Sequence, residues 1–297
     1  MNAPSIISFG EVLWDLFPDG PRLGGAPANF AGHAALLGGA VGFATGVGDD
    51  ARGTEATRIL ARYGVDTALV QTIPGAATGA VDVRFDAERK PHYRIHDDSA
   101  WDHLAWSPAL AARVATADAV YFGTLGQRSA TARATIRRAM ETARSRSIPR
   151  ALDINLRAPF YDAATLRDSM SLASVVKLSD EELPEVAAAC GVNPAGDPQS
   201  VLRELLSRHR LDLIVMTRGA AGALLVTPAE VIDQPGISVT VVDTVGAGDS
   251  FTAAFTLGLL RGEPLAAIVG RACEVAATVC THAGALPPSF QAPSHFH

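Results

Sequence analysis

Cysteine is scarce in this chain. Cys190, Cys273 and Cys280 are the whole set, an odd number without a CxxC spacing, which excludes both a disulfide framework and a thiolate zinc site. Such usage fits a reducing compartment, and a cytoplasmic location is expected. Long apolar runs are missing as well: no stretch approaches membrane-spanning length, so no membrane partner is expected. The opening MNAPSIISFGE has no basic segment and Glu11 cuts off its apolar run, so no secretory signal is read there. Positive charge is not in excess either. With 25 Lys and Arg against 31 Asp and Glu, a formal net charge of −6, the chain has no surplus to neutralise a polyanion, which argues against nucleic acid as a partner. The Arg-rich piece ARSRSIPR at 143–150 is short and reads as the solvated end of a helix. Finally, no GxxxxGK[ST] loop occurs, which excludes a Walker A phosphate site.

What is present reads as an α/β protein. Apolar residues make up 48% of the chain, enough to bury a core, and the 297 residues allow one large domain or two small ones. The β-rich runs SIISFG, VGFATGVG, DAVYFG, PRALDIN, SVVKLS, LDLIVMTRG and GALLVT alternate with helical segments such as ATARATIRRAMETARSRS and QSVLRELLSRHR. That alternation implies a mostly parallel sheet covered on both faces, with ligands beyond the carboxyl ends of its strands. Two places break the rhythm. EVLWDLFPDGPRLGG alternates like a strand and then turns through Pro and Gly, and TGAVDVRFDAERKPHYRIHDD reads as two strands, about 79–86 and 91–96, joined through AERK. Together they predict a small β flap, able to cover a ligand as a lid. The terminal PPSFQAPSHFH reads as a loosely held tail.

Several short stretches carry chemistry. In DTVGAGDSF, Asp243 to Phe251, small residues precede an aspartate and an apolar segment in which Phe251, Phe255 and Leu259 recur four apart on one helical face. The glycines therefore sit at a helix start, where unpaired N–H groups and the positive end of the helix dipole can cradle a phosphate. A second cluster, LGGAPANFAGHAALLGG at 23–39, offers Gly24 and Gly25 for close backbone approach and Asn29 as donor and acceptor, although the same glycines equally suit a tight structural turn. His33, on the Ala-rich helix that follows, reads as packing. GVGDDA at 46–51 satisfies GxGxxA, with Asp66 at a plausible distance, and invites a dinucleotide reading; Asp49 and Asp50 oppose it by placing negative charge where a pyrophosphate would sit. Asp15 can accept hydrogen bonds from two neighbouring hydroxyls of a polyol. DINLR spaces Asp153, Asn155 and Arg157 on alternate positions of a strand end, predicting that they point the same way, with Arg157 a candidate phosphate contact. In KLSDEEL, Lys177 is followed by Glu181 and Glu182, which can hold a hydrated magnesium ion or simply form an acidic first helical turn.

Taken together, these residues resemble the ribokinase-like (PfkB) family of carbohydrate kinases, and within it fructokinases most of all. The resemblance runs from about Ile6 to Pro287: GGAPANFA matches the family's N-terminal signature, DTVGAGDSFTAAF its C-terminal one, and GEVLWDLFPDG the opening of fructokinases. It implies a three-layer α/β/α fold in one kinase domain, with a mostly parallel central sheet and a lid from about 12–23 and 78–100. It implies transfer of the ATP γ-phosphoryl group to a sugar hydroxyl, with Asp249 as base and the N–H groups around Gly246, Ala247 and Gly248 stabilising the moving phosphoryl. An aspartate near a helix N-terminus is expected to stay ionised at neutral pH. Asp15, Gly24, Gly25 and Asn29 fall to the sugar, with Asn155 and Arg157 beside them. TRGAAG (Thr217, Gly219, Gly222) and THAGALP (His282, Gly284) fall to the nucleotide, with Lys177. Relatives carry a magnesium-associated NxxE where this chain has Ser179 and Glu182, so Glu182 carries the metal expectation; a monovalent cation such as K+ is expected near Asp243. The lid stretch HYRIHDDSAWDHL departs from the aromatic-rich fructokinase pattern, which leaves ribose, another ketose, a keto-deoxy sugar acid or a nucleoside beside fructose as the acceptor. A homodimer covering the lid's sheet edge is expected. The rival readings are a nicotinamide oxidoreductase and a non-catalytic sugar-binding protein.

Overall fold

The computed structural model describes residues 3–86 and 91–287; the expected AERK connection at 87–90 and the tail beyond Pro287 lie outside them. In chain order the strands are β1 (Ser5–Phe9), β2 (Leu13–Phe17), β3 (Gly20–Gly24), β4 (Ala40–Gly48), β5 (Val70–Ile73), β6 (Gly79–Phe85), β7 (Pro91–Ile95), β8 (Ala119–Gly123), β9 (Arg150–Asp153), β10 (Val175–Ser179), β11 (Leu213–Thr217), β12 (Ala223–Val226) and β13 (Val231–Gln234). The helices are α1 (Ala26–Leu36), α2 (Ala51–Arg62), α3 (Pro108–Val114), α4 (Ala130–Arg144), α5 (Ala163–Leu172), α6 (Leu183–Ala189), α7 (Pro198–His209), α8 (Ala247–Leu260) and α9 (Leu265–Cys280).

Period-two alternation separates two cores across the main sheet. On β8, Val120 and Phe122 face one side while Ala119 and Tyr121 face the other, and β1 sends Ile7 and Phe9 one way and Ile6 the other. Each such large side chain contributes about 1.5–3 kcal/mol when fully buried. The strand order is β13-β12-β11-β10-β9-β8-β1-β4-β5, parallel from β11 through β5, with β12 and β13 added antiparallel at one edge. The short strands β5 and β13 escape the sequence reading, because four mostly half-buried residues carry little alternation. Successive strands grow away from β1 on both sides, so the topological switch point, where open sheets bind ligands, lies between β1 and β8.

Helix starts follow local chemistry. Ser129 caps α4 by accepting from the Ala132 N–H at 3.2 Å, and Asp197 caps α7 by accepting from the Ser200 N–H at 3.1 Å. Helix α8 differs from its expected pattern. One apolar face is predicted, yet Ser250 through Gly258 are all buried and Leu259, expected on that face, is partly exposed. The reason is that α8 lies between α1 and α9: a Cβ at Gly258 would stand 2.8 Å from Ile268, so glycine there lets α8 and α9 approach closely.

The second sheet has the order β3-β2-β6-β7, built from the two predicted stretches, and its β2–β6 pair is parallel. Its inward face presents Asp15, Phe17, Val81, Tyr93 and Ile95, while Trp14 points the other way and donates to the Arg52 carbonyl at 3.1 Å. This seats the lid base on α2. Asp50 adds a second tie: its carboxylate accepts from the Gly53 N–H (2.7 Å), capping α2, and from the Thr78 N–H (2.8 Å) and hydroxyl (2.7 Å), immediately before β6. The GVGDDA stretch is thereby explained without a dinucleotide, since a carboxylate already occupies the helix start. A Cβ at Gly48 would stand 2.5 Å from the Ala76 carbonyl oxygen, so that glycine serves close packing, and Asp66 pairs with Arg113 at 2.8 Å.

Candidate active site

A cavity of about 590 Å³ opens beneath the lid, where Glu11, Leu125 and Asn155 follow β1, β8 and β9. One end is lined by the lid and by Gly24, Gly25, Asn29, Asn155 and Arg157; the other by Asp243 to Gly246, Gly248, Gly284 and Ala285, with Lys177 and Asp249 also on the wall. The two sequence clusters meet here. The Asn29 side-chain amide donates to Asp249 at 2.8 Å, across 220 residues of sequence.

The start of α8 is built for an anion. Gly246 is its left-handed N-cap at φ 81°, and a Cβ there would stand 2.7 Å from Ala285, so no other residue fits. The following N–H groups lie in the first helical turn, where no intrahelical acceptor exists. A Cβ on Gly248 would stand 3.0 Å from the Lys177 ammonium, which places that cation beside the same turn. Asp243 joins the flanking loops by accepting from the Val245 N–H at 3.1 Å and the Gly284 N–H at 2.9 Å. Helix α1 is linked too: the His33 ring bonds the Ala285 carbonyl at 2.7 Å, and burial holds its pKa down at about 4. The imidazole is therefore neutral at pH 7 and packs, as expected.

Beneath α8 a buried network sets the floor. Lys177 donates to Asp153 at 3.1 Å, and the Thr252 hydroxyl donates to the other Asp153 oxygen at 3.0 Å. Burial opposes charge on Lys177, but Asp153, Glu182 and Asp249 outweigh it and raise its pKa, so the ammonium persists. The expected alternation along DINLR fails at this point. Strand β9 ends at Asp153 and Asn155 takes a left-handed φ of 42°; Asp153 consequently turns into the network while Asn155 and Arg157 turn to the cavity.

Three of the carboxyls on the cavity wall are raised in pKa, and burial is the largest influence on each. Asp249 is lifted to about 6, with Asp153 adding to the lift and Asn29, Lys177 and Arg157 opposing it. Burial thus lifts it above the ordinary aspartate range, while the carboxylate is still mostly ionised at pH 7, as expected from sequence. Asp15 is raised to about 6 against the pull of Arg157 and Arg22, and Glu11 to about 7 against its own and the Ala26 main-chain hydrogen bonds and the Arg157 charge. Glu11 is 2% exposed, and its Oε2 has no hydrogen-bond partner among the described residues. Sequence reading missed Glu11; the period-two run Glu11, Leu13, Asp15 was the signal that could have found it. Phe17, Tyr93, Ile95 and Leu125 were missed as well, their largely apolar side chains giving no sign of chemistry in the sequence.

The remaining expected residues lie outside the cavity wall. Gly222 (φ 93°) has no room for a side chain, since a Cβ would stand 2.1 Å from the Gln234 carbonyl oxygen, whereas Gly219 faces open space. Thr217 ends β11 with its hydroxyl 3.4 Å from the Leu178 carbonyl, and His282 contacts Thr278 and Thr281 at 3.0 Å. Glu181 is exposed. Both Glu182 oxygens accept main-chain N–H groups, from Leu156 at 2.7 Å and Ser179 at 2.8 Å, tying the Asn155–Arg157 loop to the end of β10. Among the described residues no group of three or more His, Cys, Asp or Glu side chains could cage a metal. A divalent ion here fits only as a partner of phosphate and water, the mode magnesium favours.

Residues 20–291 match the model of the pfkB family carbohydrate kinases. A fructokinase of Klebsiella pneumoniae is 31% identical over 260 residues, covering 84% of this chain and 82% of its own. Fructokinase-2 of Solanum habrochaites is 28% identical over 307 residues, covering 95% and 92%. Among solved structures, the fructokinase of Xylella fastidiosa with bound ATP superposes with a TM-score of 0.85 at 24% identity, over 95% of this chain and 94% of that one. Aminoimidazole riboside kinase of Salmonella enterica, complexed with aminoimidazole riboside and an ATP analogue, has a TM-score of 0.80 at 25% identity over 97% and 96%. A fructokinase double mutant of Vibrio cholerae O395 in its fructose, ADP and potassium ion bound form has a TM-score of 0.80 at 24% identity over 96% and 94%. These likenesses confirm the ribokinase-like fold, a mostly parallel nine-stranded sheet with a four-stranded lid sheet. Since the family match takes in both glycine clusters and the hydrogen bond that joins them, the chain belongs to the pfkB family of carbohydrate kinases.

Proposed function

We propose that this protein transfers the γ-phosphoryl group of ATP to a sugar hydroxyl, with fructose as the leading acceptor. The observation that carries the reading is Asp249, held by Asn29 at the mouth of a glycine-lined helix start and facing a cavity whose other end is polar. The acceptor hydroxyl would bond Asp249, which takes its proton as the oxygen attacks the γ-phosphorus; the bond to the ADP oxygen breaks and ADP leaves. Gly246, Ala247, Gly248 and Lys177 would meet the negative charge, while Asp15, Gly24, Gly25, Asn29, Asn155 and Arg157 hold and orient the sugar. Thr217, Gly219, Gly222, His282 and Gly284 are proposed for the nucleotide. Magnesium, when bound, would neutralise phosphate charge. Glu182 is proposed to reach it through water and Asp243 to stand near a monovalent cation. A homodimer is proposed through the lid, where Tyr93 is 58% exposed, and the three free thiols support a cytoplasmic setting.

The test is ADP release with ATP and magnesium across fructose, ribose, glucose, keto-deoxygluconate and adenosine, beside Asp249→Asn. Turnover highest on fructose and lost in the variant is expected. Preference for another compound would replace the acceptor, and failure to bind ATP would overturn the kinase reading.

A further inference from the structure

Arg128 lies outside the cavity, yet it touches two of the segments that wall it. Its guanidinium bonds Asp102 through Nε (2.9 Å) and Nη2 (2.6 Å), and Nη2 also donates to the His96 carbonyl at 2.7 Å. His96 follows Ile95, a cavity residue at the end of the lid strand β7. The guanidinium carbon also lies over two rings, 4.0 Å from the Trp101 centroid and 4.8 Å from that of Phe160. Phe160 in turn closes a turn on the sugar-side loop, its N–H donating to the Arg157 carbonyl at 2.9 Å. Arg128 itself follows the short 3-10 turn of Leu125, another cavity residue.

The pair is dry: the side chains of Arg128 and Asp102 are 8% and 5% exposed. A cation in that position costs solvation unless most of its donors are met; the planar guanidinium meets a carboxylate, a carbonyl and two rings at once, while its Nη1 has no hydrogen-bond partner among the described residues. Lysine could supply the charge but not the plane. A surface arginine in need of a partner would not be buried against aromatic rings from two different segments.

We propose that Arg128 is a positioning residue for the acceptor end of the site. It holds the base of the lid, His96 to Asp102, in register with the loop carrying Asn155 and Arg157. The proposal rests on the kinase reading for its kinetic arm and is independent of it for its structural arm. In the kinetic arm, Arg128→Ala and Phe160→Leu raise the acceptor KM by about tenfold, the scale expected when orienting groups are displaced by a fraction of an ångström, with the ATP KM within about twofold of wild type. Phe160→Tyr, which keeps the ring, restores the acceptor KM, and Arg128→Lys does not rescue. In the structural arm, amide hydrogen exchange of the ligand-free protein accelerates in both 93–103 and 155–161, while 243–249 is unchanged. Phe160→Leu leaves the Arg128–Asp102 pair intact and decides the matter if Arg128→Ala does not fold. An unchanged acceptor KM with exchange altered only in 93–103 would overturn the proposal, leaving Arg128 as a local prop. A wild-type protein that consumes no ATP would remove the kinase reading, while the exchange result would still decide the coupling.

Discussion

The two ends of the cavity are made of different material. The proposed phosphate end is mostly main chain: a left-handed Gly246, the first turn of α8 and the loop at Gly284, with Lys177 as the added cation. The proposed sugar end is side chains from four separated places: Glu11 and Asp15, Asn29, Asn155 and Arg157, and the lid residue Tyr93. Main-chain donors do not titrate, so the first end has a nearly fixed character. The second carries carboxyls lifted by burial to about 6 and about 7, so its character changes across neutral pH. One end is set by backbone geometry, the other by a balance of charges.

The contrast breaks most completely at Asp249, where the ends meet. Asp249→Asn should lower kcat by about 10²–10⁴-fold, the range for a lost general base, with both KM values little changed in steady-state kinetics. The same substitution should stabilise the fold by ~1–2 kcal/mol at pH 7, measured by urea unfolding, because a carboxyl lifted to about 6 is costly to bury ionised. Next, Gly246→Ala should raise the ATP KM by at least about tenfold and destabilise by ~1–3 kcal/mol, since φ 81° is strained for alanine and its Cβ meets Ala285. Acceptor affinity, read by titration calorimetry, should hold.

Arg157→Gln works on the other end. The guanidinium lowers the pKa of Glu11, Asp15 and Asp249 alike, so its loss should raise all three and move the acid limb of kcat/KM upward in pH, with the acceptor KM rising about tenfold. A profile unmoved on its acid side would show that these carboxyls do not govern turnover. The smallest effect belongs to Glu11→Gln, expected to raise Tm by about 2 °C at pH 8 and by less at pH 6. The sign follows from its pKa being raised on folding: the ionised form is disfavoured in the native state, so this group's penalty is present above about 7 and fades as pH falls through that value. For these cavity carboxyls, activity and their own contribution to stability thus move in opposite directions on acidification.

The same division explains what was legible in sequence. The phosphate end is contiguous, DTVGAGDSF, and its glycines are there because no Cβ fits at 246, so a backbone requirement is written directly in residue type. The alternating strands and the lid were legible for a similar reason, since burial on known faces dictates their pattern. The sugar end was legible in part. Asp15 and Asn29 stood out, but Glu11 looked like the interruption of an apolar run, and Tyr93, Ile95 and Leu125 become wall residues only once the lid is placed. The alternation assumed for Asp153, Asn155 and Arg157 failed because the strand stops at Asp153, a boundary set by tertiary packing. For α8, layering between two helices erased the amphipathic face that an exposed helix would need.

The Asn29–Asp249 hydrogen bond has a consequence for how the molecule comes into being. Synthesis proceeds from the N-terminus, and domains tend to organise as the chain emerges. Glu11, Asp15 and Asn29 leave the ribosome early, whereas α8 follows Asn29 only after more than two hundred further residues, and α1 packs against it. A nascent chain therefore carries the first part of its site long before the piece that completes it. Until α8 arrives, α1 rests on the sheet, with Phe30 stacked on Tyr121 at 3.8 Å between ring centroids, but the side that meets α8 lacks its permanent neighbour and must be kept covered.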